Sequence, residues 1–143
     1  MKVYWLKGGE ELSTADLDAQ GVPHDWIDPV NYKSRLEVWK QNRNYAAGDE
    51  IQLSPETDDL DNLLKQFDKE HLHTDDEVRY VVSGAGFFDV RSEDDRWMRI
   101  EVTAGDFIVV PANVYHHFFL TAEKQIHAVR LFKENPSWVA VYR

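Results

Sequence analysis

From residue 71 onward, turn-forming residues recur about every ten positions, and the stretches between them are short, β-branched and aromatic. Segments of that length cannot hold helices of useful size, so the second half of the chain must fold as antiparallel β-structure. Strands are predicted over 71–74, 78–82, 87–91, 97–102, 107–110, 115–120 and 125–132. The turns between them are Asp75-Asp76, Ser83 to Gly86, Ser92 to Arg96, Thr103 to Asp106 and Ala122-Glu123. Hairpins this short close readily into a small barrel or jelly roll. Val78-Arg79-Tyr80-Val81-Val82 is apolar at positions of both parities, so that strand should be covered on both faces.

Upstream the periodicity changes. Tyr32, Leu36, Trp39 and Arg43 recur at helical spacing, as do Leu60, Leu63, Leu64 and Phe67 after Asp58-Asp59. Ser13 can cap a short helix ending near Gly21, whereas Ala47-Gly48-Asp49 and Ser54-Pro55 read as breakers. At 143 residues the chain is expected to be one domain, with a mixed helical cover over 1–70 and a β-barrel core over 71–143.

Composition narrows the chemistry. There are 26 Asp and Glu against 16 Lys and Arg, a formal charge of -10, which disfavours nucleic acid as a partner. Cys is absent, so disulfides and thiolate chemistry are excluded and any metal must rest on His and carboxylates. The apolar run Phe107 to Val110 stops at Pro111, and neither a secretory signal nor a membrane span is read. A cytoplasmic protein acting on a small molecule is the expectation.

His71-Leu72-His73-Thr74-Asp75-Asp76-Glu77 is the segment with chemical content. Two His at i, i+2 project from one face of a strand, Glu77 can re-enter the same pocket after the acidic turn, and His116 arrives from a later strand. Three imidazoles and a carboxylate suit a divalent transition metal better than calcium or magnesium. Four protein ligands in an octahedral shell leave two positions, enough for a bidentate oxygen ligand. His24, His117 and His127 lack such company and read as ordinary core or surface histidines; Asp75 and Asp76 read as turn formers.

The pattern His71-x-His73-x3-Glu77-x6-Gly84, followed by Gly105-x5-Pro111 and His116, resembles the paired motifs of the cupin superfamily. Glu70 to Tyr80, Gly84 to Arg91, Trp97-Met98-Arg99-Ile100, Gly105-Asp106 and Arg130-Leu131-Phe132 resemble acireductone dioxygenase of methionine salvage more narrowly. That likeness implies a mainly β, cupin-type double-stranded β-helix with a helical N-terminal region. It implies cleavage of 1,2-dihydroxy-3-keto-5-methylthiopentene by dioxygen with one Fe(II) or Ni(II) per chain. Iron would give formate and 2-keto-4-methylthiobutyrate; nickel would give carbon monoxide, formate and methylthiopropionate. The metal ligands fall on His71, His73, Glu77 and His116. A monomer is expected, with the cytoplasm, and a nuclear pool, as its location.

Charge balance adds an argument. Metal plus carboxylate carries +1, and a bound enediolate dianion would bring the site to -1 in a poorly solvated barrel, so another cation is required. Arg79 shares strand parity with Glu77 and matches the family's anion-holding, catalytic arginine. Arg130 is a second candidate, its alternative being a structural pair. The resemblance places aromatic substrate contacts at Phe67 and Phe118, either of which could instead be core. Asn113, His117 and Phe119 depart from the family pattern. Asn tolerates a positive φ, so the turn at 113 should persist, and 117 and 119 alternate away from His116 onto the outer face. Another cupin enzyme acting on an enediol or sugar-like substrate, or a non-catalytic interaction module, are the competing readings.

Overall fold

A computed structural model describes residues 1–143 and contains eleven strands and three helices. The strands are β1 (Lys2–Trp5), β2 (Glu11–Leu12), β3 (His24–Trp26), β4 (Ala47–Leu53), β5 (His71–Leu72), β6 (Glu77–Arg91), β7 (Trp97–Thr103), β8 (Asp106–Val110), β9 (His116–Leu120), β10 (Ile126–Phe132) and β11 (Val141–Tyr142). The helices are α1 (Thr14–Ala19), α2 (Lys33–Asn42) and α3 (Leu60–Phe67). Every pairing is antiparallel, and the architecture is the mainly β cupin type.

One strand organises the barrel. The first half of β6 pairs with β8 and β10, and its second half with β7 and β9. The turn expected at Ser83 to Gly86 is therefore absent: the chain runs straight through as strand for 15 residues. Gly84 at φ +84 lets β6 bend there and pass from one wall to the other. A turn-rich tetrapeptide thus serves as a corner, because both halves of the strand find partners.

The N-terminal half is more extended than its periodicity predicts. Ala47-Gly48-Asp49, read as breakers, opens β4, which pairs along its whole length with β10. The helices follow the sequence more closely. Ser13 caps α1 in a reciprocal capping box with Asp16, and α3 spans the Leu60, Leu63, Leu64, Phe67 face.

Two cores follow from the twofold coverage of β6. Inside the barrel lie Val81, Phe88, Val90, Met98, Ile100, Val102, Ile108 and Val110, joined by Leu17 and Leu60 from the helices. Outside it, Val78, Tyr80, Phe107 and Val109 pack against Ile27, Leu36 and Tyr45, and Tyr80 donates its hydroxyl to the Ile27 carbonyl at 2.7 Å. The 78–82 strand is covered on both faces, as its composition requires. No helix is long and apolar enough to cross a membrane.

Candidate metal centre

The ligand-bearing segments meet at one end of the barrel. β5 pairs with β9 through His71 opposite His116, which sets those two rings 4.6 Å apart. His73 follows β5 on the same side, its ring 5.8 Å from His71 and 5.0 Å from His116. One nitrogen from each ring lies within 4.8 Å of the others. Glu77, the first residue of β6, adds its carboxylate, with Oε1 3.7 Å from His73 Nε2 and Oε2 3.5 Å from His116 Nε2.

Tautomers are fixed by the backbone. Each Nδ1 lies against a carbonyl: Lys69 for His71 at 2.7 Å, Asp75 for His73 at 2.7 Å, Val114 for His116 at 2.8 Å. A carbonyl only accepts, so each Nδ1 carries the hydrogen and each Nε2 offers a lone pair inward. His116 Nε2 is buried without a hydrogen-bond partner, the state of a donor atom awaiting a Lewis acid. The donor set fits a divalent metal. Burial lowers the pKa of His71, which keeps that ring neutral and able to ligate. Burial alone would raise the Glu77 carboxyl, yet the Arg79 charge beside it holds it well below the usual carboxylate range.

Both acidic turn residues are occupied. Asp76 accepts from Ala112 N at 2.9 Å and from the Tyr45 hydroxyl at 2.8 Å, and Asn113 N bonds to the His73 carbonyl at 2.9 Å. These bonds stitch the loop before His116 to the loop holding His73. Asn113 has φ +65, as its side chain permits. Asp75 holds the C-terminal segment: Ser137 N donates to it, and Lys133 Nζ sits 2.8 Å away as an ion pair without hydrogen-bond alignment. Trp138 thereby lies edge-on to His73, at 5.4 Å.

A narrow apolar cavity of about 40 Å³ leads inward from the carboxylate. Glu77 and Arg79 form its polar end; Phe67, Phe88 and Phe118 line one side, Ile51, Leu53, Ile126 and Ala128 another. Arg79 is buried and donates Nη2 to Glu77 Oε1 at 3.1 Å and Nη1 to the Val78 carbonyl at 2.9 Å. Two of its five N–H groups are thereby used, and the rest remain for a ligand.

Arg130 is opposite Arg79 in register, is clamped by both oxygens of Asp49 and does not line the cavity. His117 lies on the outer face and shares the fully buried Asp89 with Arg99. The wall from β4 was missed in the sequence reading, although Ile51 and Leu53 alternate with polar Glu50 and Gln52, a period-2 signal masked by Gly48.

Comparison with known proteins agrees with this geometry. Residues 10–140 match the profile of the ARD/ARD' family. The chain is 45% identical over 143 residues to an acireductone dioxygenase of Heterostelium pallidum, covering 100% of this chain and 98% of that one. Against the acireductone dioxygenase of Dictyostelium discoideum the identity is 48%, covering 100% and 99%. The solved acireductone dioxygenase of Bacillus anthracis, which carries a cadmium ion in its active center, superposes with a TM-score of 0.92 at 30% identity, covering 99% of this chain and 97% of that one. On the strength of a match that spans nearly its whole length, this chain belongs to the ARD/ARD' family.

Proposed function

We propose that the chain is a metal-dependent dioxygenase that cleaves acireductone, 1,2-dihydroxy-3-keto-5-methylthiopentene, with dioxygen in methionine salvage. The observation that carries this reading is the junction of two surfaces. Three inward Nε2 lone pairs and a carboxylate stand beside a free cationic edge of Arg79, and an apolar slot opens directly behind them. That arrangement suits a small molecule with vicinal oxygens at one end and an unbranched apolar tail at the other.

His71, His73, Glu77 and His116 are the residues assigned to hold one Fe(II) or Ni(II). When bound, the metal supplies Lewis acidity to the substrate oxygens and contact with dioxygen. Arg79 offers its unused N–H groups to the enediolate and offsets its charge where water is scarce. Phe67 and Phe118 shield the tail, and Trp138 limits access from solvent at the His73 edge. Arg130, its charge matched by Asp49, is left a supporting part in which it holds β4 to β10 without touching substrate.

The iron form is expected to yield formate and 2-keto-4-methylthiobutyrate, and the nickel form carbon monoxide, formate and methylthiopropionate. The protein is stripped of metal, loaded anaerobically with one metal at matched occupancy, and mixed with acireductone and air. Headspace gas and organic acids are then measured. Carbon monoxide from nickel alone supports the reading; identical products from both metals would remove it.

A further inference from the structure

Gly86 lies on β6 opposite Val102 and Leu120, on the barrel-facing side shared with Phe88. Phe118 is directly opposite Phe88, with ring centroids 4.8 Å apart, but its ring tip leans diagonally across the strand toward residue 86. A Cβ at residue 86 would stand 2.5 Å from Phe118 Cε2 and 2.6 Å from Cζ, distances no packed methyl group tolerates. The ring thus occupies the volume in which every other residue has a side chain.

Phe118 also lines the slot behind Glu77 and Arg79, with Phe67 edge-on to it at 6.4 Å. Pushed off the β6 backbone, the ring meets Phe88 on one side and Phe67 on the other, so the direction left to it is the lumen. The slot is narrow and Phe118 is one of its walls, so a ring shift toward the lumen takes space directly from it. Gly86 has no positive φ, so alanine suits the backbone there and the clash falls on the mobile end of a side chain.

We propose that Gly86 is a positioning residue that sets how long an apolar tail the slot accepts, by keeping the Phe118 ring parked against bare backbone. The proposal rests on the acireductone reading for the identity of the tail, but the slot itself can be probed without turnover. Straight-chain 2-keto acids from pyruvate to 2-ketohexanoate carry adjacent oxygens and a tail of graded length. Their affinities are measured by calorimetry on the metal-loaded protein, for wild type, Gly86→Ala and the double variant Gly86→Ala with Phe118→Leu.

In the wild type, affinity should rise with each added methylene. Gly86→Ala should bind pyruvate as before but lose roughly tenfold on 2-ketohexanoate, the range for one group that no longer fits a hydrophobic pocket. Trimming Phe118 to leucine should return the long-chain affinity, which a merely structural defect at residue 86 would not do. Metal content by elemental analysis should be equal in all three. A parallel chain-length profile in wild type and Gly86→Ala, or a loss that is equal for every acid and not restored in the double variant, overturns the proposal. Oxygen uptake by the wild type with acireductone is recorded separately. Its absence would sink the dioxygenase reading, while the affinity profile still decides the role of Gly86.

Discussion

Arg79 and Glu77 are 3.1 Å apart and both buried, so removing the guanidinium leaves a carboxylate without its cation and a pocket without its anion partner. Arg79→Ala is expected to retain metal, because no nitrogen of Arg79 belongs to the imidazole cluster, and to lose kcat/KM by an amount equivalent to about 2 to 5 kcal/mol. Steady-state kinetics beside elemental analysis checks both halves; unchanged turnover and affinity would end the assignment. On the other face of the sheet, burial would raise the pKa of Asp89, but hydrogen bonds from Arg99 and His117 outweigh it and hold the pKa below the ordinary 3.8. The sign follows: the unfolded chain takes up this proton first as the pH falls. The stabilisation is complete above the unfolded value and is lost as pH drops through the lower, folded one. Asp89→Asn should flatten that acid slope and cost about 1 to 3 kcal/mol at neutral pH, less than a fully enclosed pair because Arg99 and His117 are partly solvated. Denaturant melts from pH 3 to 7 provide the measurement, and an unaltered slope in the variant would locate it elsewhere.

At the scale of the element, β6 is the strand on which the barrel turns. A Cβ on Gly84 would meet the Gln125 carbonyl oxygen at 2.3 Å and Ile126 Cα at 2.8 Å, both parts of neighbouring backbone that cannot swing aside. Gly8 offers a control, since its φ is +92 but nothing lies within 4 Å of the added atom. Gly84→Ala should therefore destabilise by about 3 kcal/mol or more, and Gly8→Ala by only about 1 kcal/mol, the cost of the left-handed backbone alone. Urea midpoints at constant slope would show the difference. Equal shifts at the two glycines would mean that conformation alone, and not the close approach of β10, requires glycine at the corner. The same element shows how local chemistry can be overruled. Ser83 to Gly86 has the composition of a hairpin turn, yet both flanks of β6 pair onward, and a bent strand satisfies more backbone groups than a reversal would.

For the whole molecule, the ligands come from three separated segments, so metal binding ties β5, β6 and β9 together and belongs to the folded state alone. Saturation at about 100 times Kd adds roughly 2.7 kcal/mol. Chelation should therefore lower the melting temperature by about 5 to 10 °C for a chain of this size, and Fe(II) or Ni(II), but not Mg(II), should restore it. His73→Ala should melt like the stripped protein whatever is added, and equal metal content in this variant and wild type would remove His73 from the ligand set. What the sequence determined by itself is local. The i, i+2 histidines, the alternation that turns 117 and 119 outward, the capping box of α1 and the two-sided burial of 78–82 all depend on short-range periodicity and turn chemistry, which a neighbouring residue suffices to specify. What the tertiary structure decided is which distant groups meet. Asp49 and Arg130 are 81 positions apart, and no spacing could announce that one would claim the other and keep it out of the slot. The same holds for β4 as a cavity wall and for Trp138 against His73. Side-chain direction is set by the backbone within a few residues, but partnership is set by packing across the barrel, where the pairing that buries most surface and leaves fewest polar groups unmet is selected from many that the local pattern allows.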